Sequence, residues 1–180
     1  MIVRVVPPLF AVLLGLASVG GCGGGTGLDV AEGRYRLYVK GSLTDTLTGP
    51  ARVHVRRNAR IGIELGTRDG PGLSIEVASP PRAKSGEEGG GIRTRVRTRR
   101  YDVVAASLLN GPHADSLSGL LAFLSVNGTE FAATQGHLSV THVGDGSVGG
   151  TFGFKMGERA DGRPGVRRVR VTGALWATRP

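Results

Sequence analysis

The sequence predicts an all-β protein, an antiparallel β-sandwich or barrel of about nine to ten strands joined by short connections. Three observations carry that expectation. Apolar and polar residues alternate through nearly the whole chain after residue 33, as in strands buried on one face. The 31 glycines fall between short apolar runs, where turns are needed. Finally, Asn127-Gly128 stands between two such runs, a pair suited to the positive-φ positions of a type I′ hairpin turn.

The elements follow in order. Tyr35, Leu37 and Val39 alternate with Arg34, Arg36, Tyr38 and Lys40, and Arg52-Val53-His54-Val55-Arg56 repeats the scheme. Ile61, Ile63 and Leu65 alternate with Gly62 and Glu64, and Leu73, Ile75 and Val77 with Ser74 and Glu76. Between them Thr67 to Gly72 reads as a tight connection. Ser79 to Gly91 reads as a loop, because Pro80-Pro81, Glu87-Glu88 and three glycines offer nothing to bury. Ile92 to Arg99 resumes as a strand, and Tyr101 to Leu109 fits either its continuation or a short helix ended by Asn110-Gly111-Pro112. Leu121–Val126 and Thr129–Thr134 flank Asn127-Gly128. Gly136–Val143 and Val148–Met156 flank Gly144-Asp145-Gly146 as a second hairpin. In its second arm Val148, Phe152, Phe154 and Met156 share a face, with Gly149, Thr151, Gly153 and Lys155 opposite. Val166 to Ala177 makes the last strand. No composition shift divides residues 33–180, so they form one domain.

The N-terminal segment has a different character. A positive start (Met1 to Arg4) leads into an uncharged, largely apolar run from Val5 to Gly21 with small residues at its end. That layout is a secretory signal peptide over residues 1–21. Cys22, the single cysteine, follows Val19-Gly20-Gly21 directly and resembles the lipobox of bacterial lipoproteins. The resemblance implies cleavage before Cys22, acylation of its thiol and new amino terminus, and a lipid anchor in the cell envelope. Gly23 beside the cysteine, where an aspartate would signal inner-membrane retention, implies the outer membrane by the same resemblance. Residues 22–32, glycine-rich, then read as a flexible tether. With its only thiol acylated, the domain draws stability from packing and hydrogen bonds and not from disulfides.

A second resemblance covers most of the remaining chain. The strand ending at Gly41 followed by Leu47-Thr48-Gly49-Pro50-Ala51, the run Phe131 to Val140 and the run Gly146 to Phe154 are similar to uncharacterised, glycine-rich, all-β bacterial lipoproteins. The resemblance implies a β-sandwich and no activity. The arginine content departs from the Ser/Thr-rich outer faces of such domains.

Charge supplies the main functional signal. Lys and Arg number 23 against 14 Asp and Glu, a formal +9, and all the basic residues except Lys40, Lys84 and Lys155 are arginine. A field of that sign draws anions, and guanidinium forks match phosphate and carboxylate oxygens. Arg93, Arg95, Arg97 and Arg99 alternate, which on one strand places them in a ladder with steps of about 7 Å. Arg52 and Arg56 flank His54 in a similar row, and Arg34, Arg36 and Lys40, and Arg168 with Arg170, form others. The expected partners are the membrane through the N-terminal lipid, and anionic lipid, lipopolysaccharide or acidic polysaccharide through the arginine face. Nucleic acid fits the charge but not the export signal. The alternatives are a purely structural surface lipoprotein, with arginines neutralised by Glu64, Glu76 and Glu130, and an envelope hydrolase.

Catalytic and metal signals are weak by spacing. His137 and His142 are five apart and on a regular strand face opposite ways, His142 with Leu138 and Val140. His113-Ala114-Asp115-Ser116 contains triad residue types but as loop neighbours, without a Gly-x-Ser-x-Gly elbow. Asp145 and Asp161 each precede a glycine and mark turns, and Trp176 reads as a core anchor or a sugar platform. The sequence therefore predicts a non-catalytic binding or scaffolding protein of the envelope, with no cofactor or metal.

Overall fold

The computed structural model describes residues 30–56, 60–67, 70–79, 92–109, 118–160 and 163–180. Cys22, the signal segment, Glu87-Glu88, His113 to Ser116 and Asp161 lie outside them, as do the side chains of Arg93, Thr94 and Leu109.

Nine strands and two short helices follow one another. The strands are β1 (Arg34–Gly41), β2 (Asp45–Val55), β3 (Arg60–Gly66), β4 (Gly72–Ala78), β5 (Arg100–Asp102), β6 (Gly119–Val126), β7 (Thr129–Val143), β8 (Ser147–Ala160) and β9 (Arg163–Thr178). Helix α1 (Ile92–Arg95) precedes β5, and α2 (Ala106–Leu109) follows it. The strands form one sheet in the order β5-β7-β6-β4-β3-β2-β1-β9-β8, and β7 also pairs with β8. That last pairing closes a ring of every strand except β5, each ring strand antiparallel to its neighbours. Of the two expected architectures the barrel is the one formed, with up-and-down connectivity.

The alternation read from the sequence decides what lies inside. Tyr35, Leu37 and Val39 on β1, Ile61, Ile63 and Leu65 on β3, Leu73, Ile75 and Val77 on β4, and Val148, Phe152, Phe154 and Met156 on β8 all face one buried cluster. Eight ring strands leave an interior that side chains just fill, and here Phe131 and Phe154 are among the largest side chains sealed within it. Charged residues occupy the outer face, the reverse of the pattern by which a barrel meets lipid along its wall. Among the described residues no helix is long and apolar enough to cross a membrane.

Tyr35 puts a phenol into this interior, its ring against Gly49, and burial pushes its pKa above the ordinary value. The folded state therefore holds the phenolic proton to higher pH than the unfolded chain does. The stability tied to that proton is complete below about pH 10 and is lost as the pH climbs toward the folded value. Tyr35→Phe is expected to flatten the fall in urea midpoint above about pH 10. Identical alkaline profiles for the variant and the native chain would place the phenol in water.

Three departures from the sequence reading shape the surface. Ile92 to Arg99 is not a strand. It opens as α1, with Val96 N–H donating to the Ile92 carbonyl at 3.0 Å. Ile92 and Val96, four apart, both bury in the core cluster, which one helical turn achieves and which leaves no straight arginine ladder. Secondly, Thr129 to Val143 is one strand, not two, bent by irregularities between Ala133 and Gln135 and between Val140 and His142. Its first residues pair with β6, and from Gly136 onward β5 takes over that flank, with Val103 N–H bonded to the Gly136 carbonyl and Val140 N–H to that of Arg99. The third departure follows from the second irregularity, because the extra residue inverts the alternation. His142 pairs with Gly149, leaves the face of Leu138 and Val140, and packs outside the barrel on Trp176 with ring centroids 5.2 Å apart. The hairpins match the reading: Asn127 and Gly128 take φ values of 51° and 70°, as a type I′ turn demands.

Candidate anion-binding face

Of the six arginines singled out in the sequence, Arg52, Arg56, Arg95, Arg97 and Arg99 have described side chains, and these are held in different ways. Arg52 stands on the outer face of β2 opposite Glu64. Glu64 instead turns toward His54, whose Nε2 lies 2.9 Å from Oε1 without hydrogen-bond alignment. Arg56 lies across Gly62 and reaches the same carboxylate at 3.9 Å. Arg95 donates from Nη1 to the Arg56 carbonyl at 3.1 Å, so these two do meet. Arg99 is held elsewhere, over the Tyr101 ring at 4.7 Å and bonded to Ser79 and Ser118. Arg97 is exposed, its backbone N–H donating to the Tyr101 hydroxyl at 2.9 Å.

On this side of the barrel, carboxylates neutralise much of the charge. Arg60 pairs with Glu76 at 2.9 Å, with both side chains largely covered. Further round the ring, Arg167 grips Glu158 with Nε and Nη2, at 2.9 and 2.6 Å. That grip holds the Glu158 carboxyl below its usual pKa and raises that of Arg167.

The wall β1-β9-β8 carries that last pair at one end, and further along the same strands a row of cations. Pairing of β1 with β9 aligns Lys40 with Arg170, and pairing of β9 with β8 aligns Arg170 with Lys155. All three are exposed and stand in one row across the strands. Neighbouring strands are about 4.8 Å apart, so the three side chains spring from a span of about 10 Å. Gln135 on β7 continues the row beyond Lys155. The next row along the barrel is Tyr38, Thr172 and Gly153, and the one after it Arg36, Ala174 and Thr151. Tyr38 is 42% exposed despite its size. On the other side of the cations Arg168 lies over Gly157, with Nη1 bonded to the Gly165 carbonyl at 2.6 Å.

Like charges directly opposite across a sheet repel. Among the described residues none of Lys40, Arg170 and Lys155 has a carboxylate partner. The row is therefore a set of donors in need of a counter-charge, flanked by the Tyr38 and Thr172 hydroxyls and the Gln135 amide. Chemically it can hold phosphate or carboxylate oxygens, with the arginine fork between two lysine point charges. The alternation of each strand was legible in the sequence. The juxtaposition was not, since it depends on β9 inserting between β1 and β8.

Other polar groups are scattered. His142 Nε2 lies 3.4 Å from Ser147 Oγ, and His137 faces out opposite Gly153. Among the described residues no three His, Cys, Asp or Glu side chains are grouped to hold a metal. The class defined by fold and surface is an up-and-down antiparallel barrel with a filled apolar interior and a basic wall. No protein-family model, curated protein or solved structure matches the chain.

Proposed function

We propose that this is a lipid-anchored protein of the bacterial envelope, processed before Cys22, that binds anionic envelope components without catalysing a reaction. The observation that carries the binding reading is the register of Lys40, Arg170 and Lys155, three cations side by side on β1, β9 and β8 with no carboxylate partner among the described residues. The anchor reading rests on the N-terminal pattern and on the glycine-rich segment that follows Cys22. Together they describe a barrel tethered close to a surface rich in phosphate and carboxylate. Repulsion within the row is relieved when an anion takes its place among the cations.

Intact mass spectrometry of protein from a native-like host tests the anchor, with a chain beginning at Cys22 and carrying acyl mass as the expected result. Vesicle binding tests the wall, using the chain from position 22 with Cys22→Ser. Binding to phosphatidylglycerol vesicles is expected to fall steeply with salt and to be weak on phosphatidylcholine. Each basic residue near an anionic surface contributes about 1 kcal/mol. Losing Lys40, Lys155 and Arg170 to glutamate is thus expected to cost at least about 100-fold in affinity. Undiminished vesicle binding by that triple variant overturns the reading of this wall. A chain that starts at Met1 without lipid overturns the anchor.

A further inference from the structure

A second feature lies on the opposite side of the barrel and does not depend on the basic wall. The outside of a barrel is convex, yet a groove of about 620 Å³ runs across β2, β3, β4, β6 and β7. Gly66 and Gly72 face each other at the base of the β3–β4 hairpin, and Gly66 has φ +117°. A Cβ on Gly66 would lie 2.6 Å from the Pro71 carbonyl oxygen, and one on Gly72 2.5 Å from that of Leu65. Only glycine permits so close an approach of the two chains there. Gly66, Thr67, Gly70 and Gly72 line the groove at this hairpin.

The contents of the groove are ordered along its length. Arg52 stands on β2 at one end and Glu130 on β7 at the other. Phe123, 37% exposed and among the described residues one of few large apolar side chains open to solvent, lies between them with Ser74 and Ser125. Glu64 is engaged by His54 and Arg56. Among the described residues Arg52 and Glu130 have no ion-pair partner, although their cross-strand neighbours Glu64 and Arg159 carry opposite charges. The groove thus presents a cation, an aromatic face with hydroxyls, and an anion in sequence, neither charge paired among the described residues.

We infer that this groove binds a short extended peptide with free ends, its carboxylate on Arg52, its ammonium toward Glu130 and an apolar side chain on Phe123. Four strand-to-strand steps separate the two charges, about 19 Å along the surface. The Arg and Glu side chains shorten the gap to be bridged. An extended chain advances about 3.3–3.6 Å per residue, so four to five residues span it. The volume falls within the range of small-ligand sites, about 300–1,000 Å³. Glycine walls suit a main chain, which needs close approach. A neutral saccharide would leave both charges without partners.

The test uses the full chain and the pentapeptide Gly-Ala-Leu-Ala-Gly, free or N-acetylated and C-amidated, with affinity followed by NMR titration. The free peptide is expected to bind at least about 10-fold more tightly than the capped one, which lacks both charged ends. Arg52→Gln is expected to abolish the effect of C-amidation while leaving the effect of N-acetylation. Glu130→Gln is expected to do the converse, and Phe123→Ser to weaken the free peptide about 10-fold. All three positions are exposed on the outer face, and thermal melts of the variants check folding independently. Equal affinity for free and capped peptides overturns the inference. So does no binding at millimolar peptide, or tighter binding of a neutral oligosaccharide. Vesicle binding by Lys40, Arg170 and Lys155 is expected to be unchanged in these variants, so this inference and the envelope reading fail separately.

Discussion

Phe131→Ala is expected to destabilise the barrel by about 3–5 kcal/mol, a large part of the 5–15 kcal/mol that holds an ordinary domain together. Phe131 is fully buried. Its position makes the loss more than a matter of volume. It stands opposite Leu124 of β6 and Glu158 of β8, in the stretch where β7 is bonded on both sides by ring strands. Just beyond it β6 gives way to β5, so the cavity left by alanine would open where ring closure is narrowest. Urea unfolding followed by far-UV circular dichroism measures the change. Phe123→Ala, on the outside of the adjacent strand, is the control, with an expected cost below about 1 kcal/mol. Equal costs for the two phenylalanines would mean that they are equally buried, against the inside–outside assignment of the barrel.

A single methyl group at Gly136 is expected to cost as much as the whole Phe131 ring or more. Gly136 has φ +130°, a region that L-residues rarely occupy. A Cβ there would lie 2.1 Å from the Gly153 carbonyl oxygen and 2.7 Å from Cα of Phe154. Both obstacles are backbone, so no side-chain rotation relieves them. The β7–β8 ladder would have to part at the point where β5 also bonds, through the Gly136 carbonyl to Val103. Gly136→Ala is accordingly expected to accumulate as unfolded or aggregated chain. Gly128→Ala separates the two contributions. That glycine also has positive φ, at 70°, but nothing lies within 4 Å of the added atom. Its cost is expected to be the conformational term alone, about 1–2 kcal/mol. If both variants fold with the same urea midpoint, the close approach at Gly136 does not exist in solution.

The parts of the fold that were legible are those whose cause is local. Tyr35, Leu37 and Val39 against Arg34, Arg36 and Lys40 state their own inside and outside, and Asn127-Gly128 specifies its own turn. The segment Ile92 to Arg99 was misread because its two large apolar residues are four apart, a spacing compatible with period 2 and with a helical turn. The intervening arginines added no information about burial. His142 was misassigned because one extra residue after Val140 inverts the alternation, and nothing in Ser139-Val140-Thr141-His142 announces an irregularity. The cations of the basic wall were visible strand by strand, whereas their meeting is a property of ring closure between distant residues.

Ring closure has a mechanical consequence as well. β1 is bonded to β2 from Arg34 to Val39 and to β9 from Arg34 to Gly41. Suppose a load is applied at Arg34, where the chain from Cys22 enters, and directed along the strand. It would strain both ladders in shear, so that many hydrogen bonds must yield together and none is peeled off singly. A barrel towed by that end would hold its shape under drag, whereas traction across the strand at the same residue would unzip it rung by rung.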